Sequence, residues 1–230
     1  MKKNGFTLAE VLITLTIIGV IATMTLPALM TNTQEQQAKT ALKKGINTLT
    51  EAAQLSQAID GIDYATISST DTTSTDIQST PSLFALLSTR TQIDPRRSGS
   101  GKLASMAGGT DAGNGNYALF FRDGTALLYS PAAANGLSAN AAKMQTDNLP
   151  YGIPVIFDTN GAKGPNIMSN CEGQVNGKQE ASTGKDNGTI TDLNKRCNSS
   201  NRVIKDQFAV RLRAGYAVPN SSAARWAFEN

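Results

Sequence analysis

Glu10 is the residue from which any chemistry of this 230-residue chain has to start. It is the one charge in an apolar stretch, and residues 11–30 carry none. A carboxylate inside such a stretch costs a few kcal/mol on membrane-insertion scales, so it needs a partner, a proton or a route to the interface. Other reactive types are sparse. The chain has no histidine, which removes the commonest general base and metal ligand and excludes a Ser-His-Asp or Cys-His arrangement. The fragment SGSGK at residues 98–102 fails as a phosphate loop: Arg96 stands where the first glycine belongs, and Leu103 where a hydroxyl would hold magnesium. The loop DTNGAKGPN places Asp158, Asn160 and Asn166 close in sequence, with Asp206 further on. Hard oxygen donors in a glycine-bearing loop can bind calcium, although the spacing is not that of an EF-hand; the alternative is a turn whose side chains bond local amides. No other carboxylates form a recognisable acid-base set, so an enzyme is the least expected class.

The elements that position these groups follow from hydrophobic patterning. An uncharged run of this length crosses a hydrocarbon layer roughly 30 Å thick as a helix, and it exceeds the apolar core of about 7 to 15 residues in a cleaved secretory signal. Lys2 and Lys3 precede it, which keeps the amino tip cytoplasmic and sends the rest of the chain across. The expected localisation is a single-pass inner-membrane protein with an extracytoplasmic carboxyl-terminal domain. Gly19 and Pro27 interrupt the span; Pro27 predicts a kink or loosened turn, with Thr23 and Thr25 helping to satisfy freed backbone groups. Further on, Ala38, Ala41, Leu42, Ile46, Leu49, Ala53 and Ile59 recur at three- and four-residue steps. That stripe predicts one helix continuing to about Ile59, roughly 80 Å long, stopped at Asp60-Gly61 and packed on a sheet.

Past the membrane, disulfides persist, so Cys171 and Cys197 are expected to be bridged, which would stabilise the domain by roughly 3 kcal/mol. Residues 68–80, rich in Ser, Thr and Asp, read as a solvated loop. Pro81 reads as the first position of a short helix through PSLFALLSTR, and residues 98–116 read as glycine-rich loop. YALFFR and TALLYS flank Asp123-Gly124, a hairpin signal. IPVIFD follows, and FAVRLR and YAVP straddle Ala214-Gly215. These runs predict an antiparallel sheet of four strands and an α+β fold. The tail, residues 219–230 with Trp226 and Phe228, reads as untethered. A net charge of +3 without a basic block does not indicate nucleic acid.

KKNG followed by FTLAEVLITLTIIGVIA resembles the leader and amino-terminal helix of type IV pilins and of the pseudopilins of type II secretion. The likeness covers about the first fifty residues well and the remainder in outline. It implies cleavage by a prepilin peptidase between Gly5 and Phe6, and methylation of the new Phe6 amine. It also implies that Glu10 pairs with that amine on a neighbouring subunit, setting register in a homo-oligomeric or mixed filament. An inner-membrane assembly platform and an ATPase are the implied partners. The same likeness gives a pilin-like fold with a disulfide-bounded variable loop, and the major pseudopilin resembles this chain in having a calcium-binding loop late in its sheet. The division is then a leader over 1–5, a transmembrane half-helix over 6–30, an amphipathic half over 31–60, connecting loops with a short helix over 61–116, and the sheet, disulfide loop and tail over 117–230. Three functions follow: a subunit of a pilus-like filament, a secretion pseudopilin, or a membrane-tethered binding module that never polymerises.

Overall fold

A computed structural model describes residues 7–100, 117–132, 134, 152–164, 166–171 and 202–230. Helix α1 spans Leu8–Asp60, and its contacts place it in two compact units, Met1–Gln37 and Ala38–Asn230.

In the first unit α1 passes Gly19 and Pro27 with no break in its helical assignment. Its hydroxyls are satisfied internally. Thr14, Thr16, Thr23 and Thr25 donate to the carbonyls of Val11, Leu12, Val20 and Ile21 at 2.7–3.0 Å, the bonding an apolar solvent requires of a helix. Thr23 and Thr25 therefore serve carbonyls upstream of Thr23, and not the one that Pro27 leaves without a donor. Leu12, Ile13, Leu15, Ile18 and Met24 are more than half exposed.

The second unit is α+β. Its main sheet contains β1 (Gly99–Ser100), β2 (Tyr117–Phe120), β3 (Ala126–Tyr129), β4 (Ile153–Asp158), β7 (Gln207–Arg213) and β8 (Tyr216–Pro219), in that spatial order with every neighbouring pair antiparallel. Strands β5 (Asn170–Cys171) and β6 (Arg202–Val203) form a separate pair. The expected four strands are thus corrected to five of four to seven residues plus the two-residue edge strand β1. FAVRLR and YAVP are two strands, because Ala214 takes a left-handed φ of 33° and reverses the chain, and Val210 through Arg213 pair back onto β8. Pro219 ends β8 at the sheet edge, where a missing amide donor costs no ladder bond.

From Ala38, α1 buries Leu42, Ile46, Leu49, Ala52 and Ala53 in one core with Leu119, Leu127, Val155, Phe157, Phe208, Val210 and Leu212. Ile59, expected in that stripe, is 64% exposed. At the 3.6-residue period Ser56 and Asp60 continue the buried face, and Ile59 falls beside it. The helix stops as its signal predicted: the Gly61 amide bonds the Gln57 carbonyl at 3.1 Å and Gly61 takes φ 72°. Arg90, in the last turn of α2 (Leu83–Arg90), pairs with Asp60 and ties the two helix ends together. Ser82, and not Pro81, starts α2, its hydroxyl accepting from the Ala85 amide at 3.0 Å. The opposite sheet face is covered too, with Ala118, Phe120, Ala126 and Leu128 in a second cluster.

Two segments are more ordered than their composition suggests. In residues 68–80, Asp71 accepts from the Ser74 amide at 2.9 Å and Asp76 from the Gln78 amide at 3.1 Å, while Ile77 is buried as an anchor. The tail forms α3 (Ser222–Glu229), capped by Ser221, whose hydroxyl accepts from the Ala224 amide. Ala223, Ala224 and Ala227 are buried, and the Lys39 ammonium lies 4.0 Å from the centroid of the Trp226 ring. That segment is docked.

α1 comes close against the sheet at Gly45, where an added Cβ would lie 2.1 Å from Cζ of Phe157. Overpacking of a filled core costs about 1–3 kcal/mol. Gly45→Ala should therefore lower the melting temperature of the full chain in detergent, and Phe157→Leu should restore part of it in the double variant. Additive losses would show that the two residues do not share this contact.

Candidate functional site

Two groups of residues carry chemistry. At the start of α1, Thr7 and Glu10 form a reciprocal cap. The Thr7 amide and hydroxyl donate to Oε2 of Glu10 at 2.8 and 2.9 Å, and the Glu10 amide donates to Oγ1 of Thr7 at 3.3 Å. This is a capping box, and its Thr-x-x-Glu signal stands in the sequence as TLAE. The single chain thus supplies its own donors to the one carboxylate in the apolar half, an intrachain partner not anticipated from the sequence. Gly5 and Phe6 lie outside the described residues, so the processing site and its amine are not placed.

The second group sits where β4 meets β7. Asp158 ends β4 opposite Gln207, and Asp206 immediately precedes β7. The loop between β4 and β5 returns to them because Gly161 and Asn166 take φ of 66° and 51°. Only glycine fits at 161, where a Cβ would meet the Gly124 carbonyl oxygen at 2.4 Å. Asn166 is a residue type that tolerates the left-handed region. Asp206 Oδ2 accepts from Nδ2 of Asn160 at 3.1 Å and the Asn166 amide at 2.6 Å, and Oδ1 accepts from the Ile167 amide at 2.8 Å. Asp158 accepts from the Asn160 amide at 3.0 Å and from Nε2 of Gln207 at 2.9 Å.

The structure therefore brings together all four residues singled out as oxygen donors, across almost fifty positions of sequence. The local-turn alternative is present as well, in the bond from the Asn160 amide to Asp158. Two further facts exceed a turn. Oδ1 of Asn160 and Oδ1 of Asn166 are buried with no hydrogen-bond partner among the described residues. Both carboxylates are also almost fully buried; burial, opposed by the bonds from Gln207 and Asn160 and reinforced by the charge of Asp206, pushes the Asp158 carboxyl up to about 7. Two carboxylates and two unpartnered amide oxygens are a donor set suited to a hard divalent cation. Among the described residues there is no group of three or more His, Cys, Asp or Glu. Cys171 ends β5, and Cys197 lies outside the described residues, so their pairing does too.

A raised carboxyl pKa means the folded chain holds a proton that the unfolded chain has released. Stability in metal-free buffer should therefore fall as pH rises from about 4 to about 7 and level off above. Urea unfolding of the full chain in detergent with chelator, repeated across that range, checks this. Asp158→Asn should remove the slope over that window; a variant retaining the full slope would locate it elsewhere.

Residues 1–26 match the family model described as the prokaryotic N-terminal methylation motif. No curated protein and no solved structure matches the chain. The matched segment runs into an α1 window of mean hydropathy 2.1 with none of it buried, long and apolar enough to cross a membrane. The amino terminus thus carries the prepilin signal of type IV pilins and pseudopilins, which is the family resemblance this sequence shows.

Proposed function

We propose that the protein is a structural subunit of a type IV pilus-like filament, processed by a prepilin peptidase after Gly5, methylated on Phe6 and polymerised through the apolar half of α1. The observation that carries this reading is the methylation motif continuing directly into exposed Leu, Ile, Val and Met side chains. That surface first needs lipid and then needs other copies of the same surface. The Thr7–Glu10 box gives the carboxylate a holding partner in the single subunit. On assembly the Phe6 amine of a neighbour replaces those donors, exchanging uncharged donors for an oppositely charged partner in a low-dielectric bundle. An inner-membrane platform and its ATPase supply the work, and the chain acts as a building block and not as a catalyst.

Mass spectrometry of sheared surface material should find a peptide beginning at methylated Phe6. Glu10→Leu should leave membrane insertion intact and reduce filament yield at least tenfold. Normal yield from that variant would remove the pairing, and an intact Met1 or Lys2 terminus would point to a tethered module that does not polymerise.

The oxygen cluster favours a second reading, a pseudopilin of type II secretion, a family whose major subunit has a calcium-binding loop late in its sheet. Asp158, Asn160, Asn166 and Asp206 would hold the ion, and the unpartnered Oδ1 atoms of Asn160 and Asn166 fit it. A bound calcium would neutralise the two buried carboxylates. The full chain in detergent should melt higher in calcium than in chelator, by about 2.7 kcal/mol of stabilisation at a hundredfold excess over Kd. Magnesium should not substitute, and Asp206→Asn should abolish the shift; no response to calcium would remove this reading.

A further inference from the structure

Beside the sheet, α1 and the β2–β3 turn enclose a recess of about 300 Å³ that neither reading uses. That volume is at the lower end of small-ligand sites, which run roughly 300–1,000 Å³. Its floor is apolar, made by Leu49, Phe121 and Phe157, with Phe157 seated over Gly45. Its rim is cationic. Lys44 comes from α1, Arg90 from the end of α2 and Arg122 from the β2–β3 turn, against a single lining carboxylate, Asp123.

The pairings leave this charge unbalanced. Lys44 Nζ bonds Oδ2 of Asp123 at 2.8 Å, so those two offset each other. Arg90 is committed to Asp60, yet its Nε is buried without an acceptor. Arg122 is exposed, and its side chain has no bonded partner among the described residues; its backbone amide bonds the Gln92 carbonyl at 2.9 Å, which fixes the turn beneath it. A guanidinium held at the mouth of an apolar recess presents forked donors that match a carboxylate. With Lys44 offset by Asp123 and Arg90 by Asp60, Arg122 carries the net positive charge of the rim.

We infer that this recess binds a carboxylate attached to a small apolar body, with Arg122 as its main anchor. The apolar part would lie against the exposed edge of Phe121 in the recess, and the acid would remain at the rim, where charge-assisted bonds form without full desolvation. The same chemistry is available from a free organic acid or from an acidic side chain beside an aromatic one on a protein partner.

Isothermal titration of the full chain in non-ionic detergent separates these sources, using phenylacetate, its neutral amide phenylacetamide, and the peptide acetyl-Phe-Glu-amide. Saturable binding of phenylacetate, at least tenfold tighter than the amide and at least tenfold weaker in Arg122→Gln, supports a site for free acids. The same dependence for the peptide alone supports an acid carried by a protein partner. Because Arg122 is exposed, its variant should melt with the wild type, so lost binding is not lost folding. Equal binding of acid and amide, wild-type affinity in Arg122→Gln, or no binding of either acid overturns the inference.

Discussion

A single helix that carries two hydrophobic patterns sets the terms for the rest of this protein. In residues 11–30 uncharged, mostly apolar side chains cover the whole circumference, and none of the most apolar window is buried. From Ala38 the pattern narrows to a stripe, Leu42, Ile46, Leu49 and Ala53, which the sheet covers. An all-round apolar helix is stable only among lipid tails or other helices, while a one-sided stripe needs a single packed surface. The stripe is what lets the head fold around the helix; the all-round pattern is what the head cannot satisfy. Assembly, in the proposed reading, is the chemistry of that unsatisfied half.

Glu10 belongs to the same problem. A carboxylate with no partner in an apolar solvent would neutralise or drag the helix end to the interface. The Thr7 cap supplies two donors from the adjacent turn, at little conformational cost because the helix start is being ordered anyway. The cap is local; in the proposed reading it holds the charge for an intermolecular partner that a buried tertiary salt bridge would exclude.

What was legible in the sequence followed from period and punctuation. Asp60-Gly61 ended α1, Asp123-Gly124 turned a hairpin, and Asp158, Asn160, Asn166 and Asp206 met. What was missed had weak or composite signals. Seven consecutive residues of β7 are buried, because its second face is also covered, so alternation could not reveal the sidedness of Arg211 and Arg213. α3 depends on small residues, Ala223, Ala224 and Ala227, whose burial needs the β-sheet and β5 beside them; its one-sided pattern stands in the sequence, but in alanines and a short terminal stretch that is easily read as a tail. TLAE was present but was overshadowed by the charge of its last residue. The Ala214-Gly215 reversal was legible, but the runs on either side of it were counted as a single strand, where a left-handed φ at Ala214 separates β7 from β8.

The β2–β3 turn lies between the oxygen cluster and the recess in the head. Its Gly124 carbonyl touches Gly161 of the oxygen cluster's loop, its Asp123 holds Lys44 of α1, and its Arg122 stands at the mouth of the recess. Contact alone does not make the two regions communicate: coupling requires an element with two arrangements whose balance both ligands bias. Gly124 has φ 96° and Gly161 has φ 66°, positions where any other residue would be strained, so the contact is held by backbone that side-chain repacking cannot easily change. A turn fixed in this way sets where Arg122 and Asp123 stand on one side and the loop through Gly161 on the other.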